Sequence, residues 1–339
     1  MPDNMATLVP KTSLSRKKYL SLYFKTIYAY IYQILRHDQN STPITKRSTP
    51  TSKNHTYCET LILLITGIIL KHSFLNRILT WSKLFMRIIT WNVNGLRAAI
   101  RKGIQDHINT LNPDIILFQE VRALPEQLPS EWANPDGWHV VWHPAQKKGY
   151  AGTAIWSRDP IKKQTRGIGT EDTEGRVLHV STAQVDVVSV YLPSGSSGDE
   201  RQQKKEEWMA EFRPWADKLK RKRTPVLIGG DFNIVHTARD IFYAKGNENA
   251  SGFLPHERAW IGDLLNSGWH DFLRENVGDI QGPYSWWSNR GKARELDRGW
   301  RIDYLLGNAA AAKRIHSSYI HREGGLTISD HAPVIVDLK

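Results

Sequence analysis

From residue 86 onward the chain is built of short apolar runs, and each gives out in a polar residue with chemistry of its own. IITWNVNG ends in Asn92 and Asn94, DIILFQE in Glu120, VVSVYLPSG near Tyr191, and PVLIGGDFN in Asp231 and Asn233. GWRIDYLL holds Asp303 inside its run, and the closing LTISDHAPVIVDL sets Asp330 and His331 at the mouth of one. Runs of this length between turn signals read as strands, expected at 87–93, 114–119, 138–143, 153–157, 177–181, 185–192, 225–228, 302–306 and 333–338. Helical spacing appears at Ile100, Ile104, Ile108 and Leu111, and at Trp208, Phe212, Trp215 and Leu219, where Ser197 and Glu200 offer a capping box. A third helix carries Trp260, Ile261, Leu264 and Leu265 and should stop at Gly268. Many strands and few helices predict an α/β fold with two packed sheets and helices outside.

The first 85 residues read differently. They hold 12 Lys/Arg against 3 Asp/Glu, net +9, whereas 86–339 hold 34 against 31, net +3. The whole-chain charge of +12 is therefore a poor guide to nucleic-acid binding, which local patches must argue. STPITKRSTPTSKN has the composition of a linker, and the ten-residue run LILLITGIIL falls short of the roughly 18 to 20 residues that cross a bilayer. Met86 is the expected natural start, with 1–85 a non-native or disordered extension and 86–339 the catalytic domain. A genuine basic tether to DNA or a membrane is the rival reading. The single cysteine, Cys58, lies in the leader, so a disulfide framework, a thiolate metal site and a Cys nucleophile are excluded from 86–339. That suits a reducing cytoplasm.

Strand ends and the loops after them are where α/β folds place their sites. Each candidate also has a plainer reading. Asn94-Gly95 after a strand can be only a turn, as can Ser329-Asp330-His331. Gly229-Gly230 can merely permit a bend, and Glu120 can pair with Arg122. Trp286 and Trp287 can be core. Asp303 is harder to dismiss, because a carboxylate inside a strand must be exposed or partnered.

WNVNGLRA, FQE, KKGYAGTAIWSR, YLPSGSS, GGDFN, SGFLPHERAW, YSWWSNR, GWRIDYLL and SDHAP occur in an order that resembles the exonuclease III family of AP endonucleases. The resemblance covers essentially all of 86–339 and none of 1–85. It implies a four-layer α/β sandwich of two packed mixed β-sheets flanked by helices, a divalent cation, and hydrolysis of DNA phosphodiesters. By position, Glu120 resembles the principal metal-ligating carboxylate, with Asn94 and Asp330 beside the metal and Asp231, Asn233 and His331 completing its surroundings. Asp231 resembles the residue that orients or deprotonates water. Asn92 and Asn233 resemble amides that hold the phosphate and the catalytic groups, and Tyr191 the phenol at the phosphate. His331 matches an imidazole on the scissile phosphate, oriented by Asp303. Trp286 and Trp300 match the lining of a pocket for an abasic sugar. Ser194 stands where many members carry an amide; its hydroxyl can bond a phosphate but reaches less far.

Oxygen ligands without Cys or a His-Glu-x-x-His helix favour Mg²⁺, with Mn²⁺ as substitute, over zinc. Arg290, Lys292, Arg294, Arg298 and Arg301 interleave with Trp286, Trp287 and Trp300, a composition suited to gripping a DNA backbone. KLKRKR at 218–223 reads as a solvated helix end. The expected activity is metal-dependent DNA cleavage in base-excision repair: 3′–5′ exonuclease action, incision 5′ to abasic sites, and 3′-end cleaning. The partner is double-stranded DNA with abasic sites or blocked 3′ ends, without a membrane or an obligate protein partner, the enzyme acting as a monomer. Another phosphodiesterase of the same superfamily, a nonspecific DNase or a phosphatase, is the alternative, and a non-catalytic DNA binder the remoter one. Whether Asp231 or His331 is the base stays open at this level.

Overall fold

The structure is a computed structural model that describes residues 85–339. The expectations for the extension, its linker tract and its apolar run fall outside the described residues. No helix among the described residues is long and apolar enough to cross a membrane.

Twelve strands run in chain order: β1 (Met86–Asn92), β2 (Ile115–Gln119), β3 (His139–His143), β4 (Thr153–Ser157), β5 (Lys163–Arg166), β6 (Val177–Ser181), β7 (Asp186–Tyr191), β8 (Val226–Asp231), β9 (His270–Asp271), β10 (Asp303–Gly307), β11 (Ile315–Ile320) and β12 (Val334–Leu338). They form two six-stranded sheets, ordered β11-β12-β1-β2-β4-β3 and β5-β6-β7-β8-β10-β9. Each sheet is mixed, with one parallel pair at its centre, β1 with β2 and β7 with β8. The helices are α1 (Leu96–Arg101), α2 (Ile104–Leu111), α3 (Ser130–Ala133), α4 (Asp199–Lys220), α5 (Pro255–Asn266), α6 (Phe272–Val277), α7 (Ala309–Ala312) and α8 (Arg322–Thr327).

Alternation along the strands explains the layering. Ile88 and Leu117 of one sheet meet Leu178, Val187, Leu227 and Leu305 of the other in a dry layer between them. The opposite faces turn outward: Ile89, Trp91, Ile116 and Phe118 pack under Leu96, Ile104, Ile108 and Leu111 of α1 and α2. Val188, Val190, Val226 and Ile228 pack under Met209, Phe212, Ile261 and Leu264 of α4 and α5. This gives four layers, helix, sheet, sheet, helix.

The approach of the sheets depends on Gly229. A Cβ there would lie 2.6 Å from Leu305 of the adjacent strand β10 and 2.7 Å from Leu117 of the facing sheet. At Gly230, with φ of 159°, a Cβ would fall 1.8 Å from the Val190 carbonyl. Neither residue makes a bend; both lie inside β8, which runs on to Asp231.

Other expectations also shift. The helical stretch from Ile100 breaks into α1 and α2 because Gly103 takes a left-handed φ of 86°. α4 begins after Gly198, with no side-chain cap, so the Ser197–Glu200 box does not form, and Glu200 instead pairs with Lys204 at 2.6 Å. α5 stops as predicted, with Gly268 left-handed at φ 110°.

Candidate active site

The parallel pairs aim β1, β2, β7 and β8 at the same edge of the sandwich, and their last residues meet there. Asn92, Gln119, Tyr191 and Asp231 are those last residues. The chain then turns sharply: Asn94, Glu120 and Asn233 all have positive φ, near 50°. Left-handed backbone is uncommon outside glycine, least so for Asn, and a Glu there costs on the order of 1–3 kcal/mol. The turn at Glu120 lifts its carboxylate toward the cleft instead of letting β2 continue.

Asn92 lies beneath the cleft, fully buried. Its Nδ2 donates to Glu120 Oε1 and to Asp231 Oδ2, both at 2.9 Å, so one amide joins a carboxylate from each sheet. Asp231 accepts from the Asn233 backbone N–H at 2.8 Å, while Asn233 Nδ2 donates to the Leu192 carbonyl at 2.9 Å. His331 Nε2 stands 3.8 Å from Asp231 Oδ2. On its other side, Nδ1 donates to Asp303 Oδ2 at 2.9 Å. Ser285 Oγ donates to the same Oδ2 at 2.7 Å, and receives the backbone N–H groups of Ile302 and Asp303. Asp330 accepts from Asn94 Nδ2 at 2.7 Å and from the Trp286 indole at 3.2 Å.

Burial governs the protonation of these groups. It opposes a charged His331, but Asp303 and Asp231 outweigh it and hold the imidazole up to about 10. Burial, with Asp303 and Glu120 adding repulsion, pushes Asp231 up to about 7, against the pull of His331. Burial also keeps the Tyr191 phenol well above its ordinary range, reinforced by Glu120 and Asp231, so it is a neutral donor. For Asp330, burial acts upward, yet His331, Asn94 and Trp286 hold it below the usual carboxylate range.

These groups line a cleft of about 270 Å³. Asn94, Glu120, Tyr191, Ser194, Asp231, Asn233, Trp286, Trp300, Asp330 and His331 all reach it. Asn92 and Asp303 stand behind, buried and acting on the lining residues. Trp287 is fully buried core. Arg290 is exposed and lies outside the lining, so the structure does not bring it to the cleft. Both readings of Glu120 hold: Arg122 pairs with Glu120 Oε2, and the same carboxylate faces the cleft.

Ligand atoms of Glu120, Asp231 and His331 lie within 4.8 Å of one another, so the two carboxylates stand close enough to serve one metal ion, and His331 could join them only as a neutral imidazole. A carboxylate-rich set with neighbouring amides and no sulfur fits a hard cation. Each carboxylate oxygen keeps lone pairs beyond the hydrogen bonds it already accepts.

Sequence reading missed several supports. Ser285 and Ser329 carry no signal of their own; Ser329 Oγ donates to the Asn92 carbonyl at 2.8 Å and receives the His331 N–H. Arg176 sits with its guanidinium carbon 4.8 Å from the Tyr191 ring centroid and donates to the Tyr191 carbonyl at 2.9 Å. Lys205, wholly buried, donates to the Asn233 carbonyl at 2.9 Å and pairs with Glu257 at 2.5 Å. Glu257 of SGFLPHERAW also accepts from Gly252 N–H, which ties that segment to the turn holding Asn233. A charged Lys inside the apolar face of a helix was the available hint.

A two-sheet α/β sandwich whose strand ends gather acids, amides and an imidazole in one cleft is the frame of a phosphate-ester hydrolase. Residues 89–331 match the Endonuclease/Exonuclease/phosphatase family profile. The chain belongs to that family, on its exonuclease III and AP endonuclease branch. It is 36% identical over 252 residues to the exodeoxyribonuclease of Bacillus subtilis, covering 74% of this chain and 98% of that one. It is 32% identical over 260 residues to the DNA-(apurinic or apyrimidinic site) endonuclease of Dictyostelium discoideum, covering 75% and 71%. Among solved structures, the 3′ phosphatase NExo from Neisseria bound to a product DNA hairpin superposes with a TM-score of 0.69 at 28% identity, covering 75% of this chain and 99% of that one. An AP endonuclease from Archaeoglobus fulgidus gives 0.69 at 26%, covering 75% and 99%.

Proposed function

We propose that the chain is a Mg²⁺-dependent DNA phosphodiesterase of base-excision repair, incising 5′ to abasic sites and trimming or cleaning 3′ ends. The observation that carries this is the convergence of Glu120, Asp231 and His331, each held by its own second partner, in a cleft walled by Trp286 and Trp300. The relatives' names, exodeoxyribonuclease and AP endonuclease, support the substrate class. A divalent cation, when bound, supplies positive charge against the phosphate oxygens and the departing oxygen. Glu120, with Asn94 and Asp330 alongside, would hold it.

The protein's own groups account for the rest. Asp231 accepts a proton from water and aims that water at phosphorus, fixed in orientation by Asn92 and Asn233. The new bond forms between water oxygen and phosphorus, and the bond from phosphorus to the 3′ oxygen breaks, its electron pair leaving with that oxygen, which takes a proton from solvent water to become the 3′-hydroxyl. We assign the base to Asp231 over His331 because the imidazole, held protonated by Asp303, has no lone pair to offer at neutral pH. Its charge and Nε2–H instead meet the phosphate. The neutral Tyr191 phenol supplies a hydrogen bond at the same group. The apolar walls Trp286 and Trp300 suit a sugar that lacks its base.

We place the enzyme in the cytoplasm as a monomer, consistent with a bacterial relative and a cysteine-free catalytic region. Parallel assays decide the substrate reading: a duplex with one abasic site, a nicked duplex ending in 3′-phosphate, and an intact blunt duplex, each with Mg²⁺. The first two should be processed efficiently. Equal, sequence-blind digestion of intact duplex would favour a nonspecific nuclease, and retarded but uncut DNA would favour a binder.

A further inference from the structure

Beside the cleft the chain exposes two adjacent aromatic rings. Phe242 is 41% and Tyr243 54% exposed, and they meet edge to face with centroids 4.5 Å apart. The guanidinium carbon of Arg298 stands 5.8 Å from the Phe242 centroid and 5.7 Å from that of Tyr243. The rings are held in place: Phe242 N–H donates to the Gly299 carbonyl at 3.0 Å, and Asn247 Nδ2 donates to the Tyr243 carbonyl at 2.7 Å. Below them, Gln281 Nε2 donates to the Ile241 carbonyl at 2.9 Å.

Exposed large apolar side chains generally mark an interaction surface when they are contiguous and ordered. Two features identify the occupant. The first is continuity: Ile241, the residue before Phe242, is bridged to Trp300, which walls the catalytic cleft. The rings therefore follow in the chain directly after the segment that borders the cleft wall, and they line a concavity of their own with Lys245 and Asn247. The second is charge. Arg298 and Arg290 of the neighbouring loop, and Lys245 beyond the rings, form no ion pair among the described residues, whereas Lys292 and Arg322 nearby do. Aromatic faces rimmed by free cations are the arrangement that stacks nucleobases while the cations meet phosphates.

We propose that Phe242 and Tyr243, backed by Arg298, form a stacking platform for an unpaired nucleobase of the bound strand next to the cleavage site. This rests on the chain being a DNA phosphodiesterase and adds a preference for sites flanked by frayed or single-stranded bases. The platform reads a base's face and so is tolerant of sequence.

The test measures DNA binding by fluorescence anisotropy in Mg²⁺, in an Asp231→Asn background whose slowed cleavage leaves the probes intact over the measurement, as a gel of the recovered DNA verifies. Two probes share an abasic duplex and differ in a short single-stranded extension, one of adenines and one of abasic spacers of equal charge. The Asp231→Asn protein should bind the adenine probe on the order of tenfold more tightly. Adding Phe242→Ala and Tyr243→Ala should erase that difference while leaving affinity for the spacer probe unchanged, and Phe242→Trp with Tyr243→Trp should keep it. No preference in the parent, or a preference that survives the double alanine change, overturns the platform. So does a preference that the tryptophan pair fails to keep. Failure of the parent to bind either probe would instead overturn the DNA reading itself.

Discussion

Asn92 has a single Nδ2 group, and it spends both protons on Glu120 and Asp231, so the spacing of two acids from different sheets is set by one side chain. Around that amide each polar group has a dedicated holder: Asp303 for His331, Ser285 for Asp303, and the Asn233 N–H for Asp231. His331→Ala and Asp231→Asn should each lower kcat by about 10²–10³ with DNA affinity largely kept. Single-turnover kinetics beside a binding isotherm checks this, and near-normal turnover would remove either residue from the mechanism. Ser285→Ala should act through Asp303, lowering kcat by roughly 5- to 10-fold, the equivalent of one hydrogen bond, with KM unchanged. The acids, amides and imidazole were legible in the sequence because each breaks an apolar run. Ser285, Ser329 and Arg176 were not, since a serine or an arginine in a loop looks the same whether or not it supports a neighbour.

Among the elements, the inner strands were readable, and of the four edge strands only β3 was. The strands missed from sequence, β5, β9 and β11, all lie at sheet edges. β5 reads KQTR with every residue exposed, and β9 is two residues long, so neither carries the apolar signal that burial on two faces imposes. The charged residues 218–223 proved to fasten a helix end: Lys220 donates to the Ser267 carbonyl at 2.8 Å and Lys222 pairs with Asp186 at 2.7 Å. Two fully buried pairs hold the loops behind the site, Lys205 with Glu257 and Arg301 with Asp240 at 2.6 Å. Removing one partner leaves an uncompensated buried charge, so Lys205→Ala or Arg301→Ala should each cost ~3–5 kcal/mol, read as a lower denaturant midpoint. Asp240 also predicts a pH dependence. Burial would raise its pKa, but Arg301 and Arg274 outweigh burial and hold it well below the ordinary range. A depressed folded-state pKa contributes stability that is fully present above the unfolded value near 4 and is lost as pH falls toward the folded one. Thermal melts should therefore fall steeply below about pH 4, and less steeply in Asp240→Asn, which has already lost that contribution. Equal acid sensitivity in both would contradict the assignment.

Across the molecule, two sheets with a parallel pair each bring four strand ends to one edge, where the candidate site lies. Gly229 lets the sheets approach, and the bridge from Ile241 to Trp300 fastens the segment beside the cleft. The match to the family begins at residue 89, and the site begins at Asn92. A chain starting at Met86 should accordingly cleave abasic duplex at the rate of the full chain, measured side by side. On the proposed mechanism, Glu120 seats the cation that the hydrolysis needs. The deciding experiment follows the rate of incision of a labelled abasic duplex as Mg²⁺ is titrated from chelator-stripped conditions, in the wild type and in Glu120→Gln. The wild type should be silent without the ion and saturate as it is added, while Glu120→Gln should need far more Mg²⁺ for a much lower rate. Cleavage that persists in the chelator, or a Glu120→Gln curve that overlays the wild type, would mean that Glu120 seats no such cation.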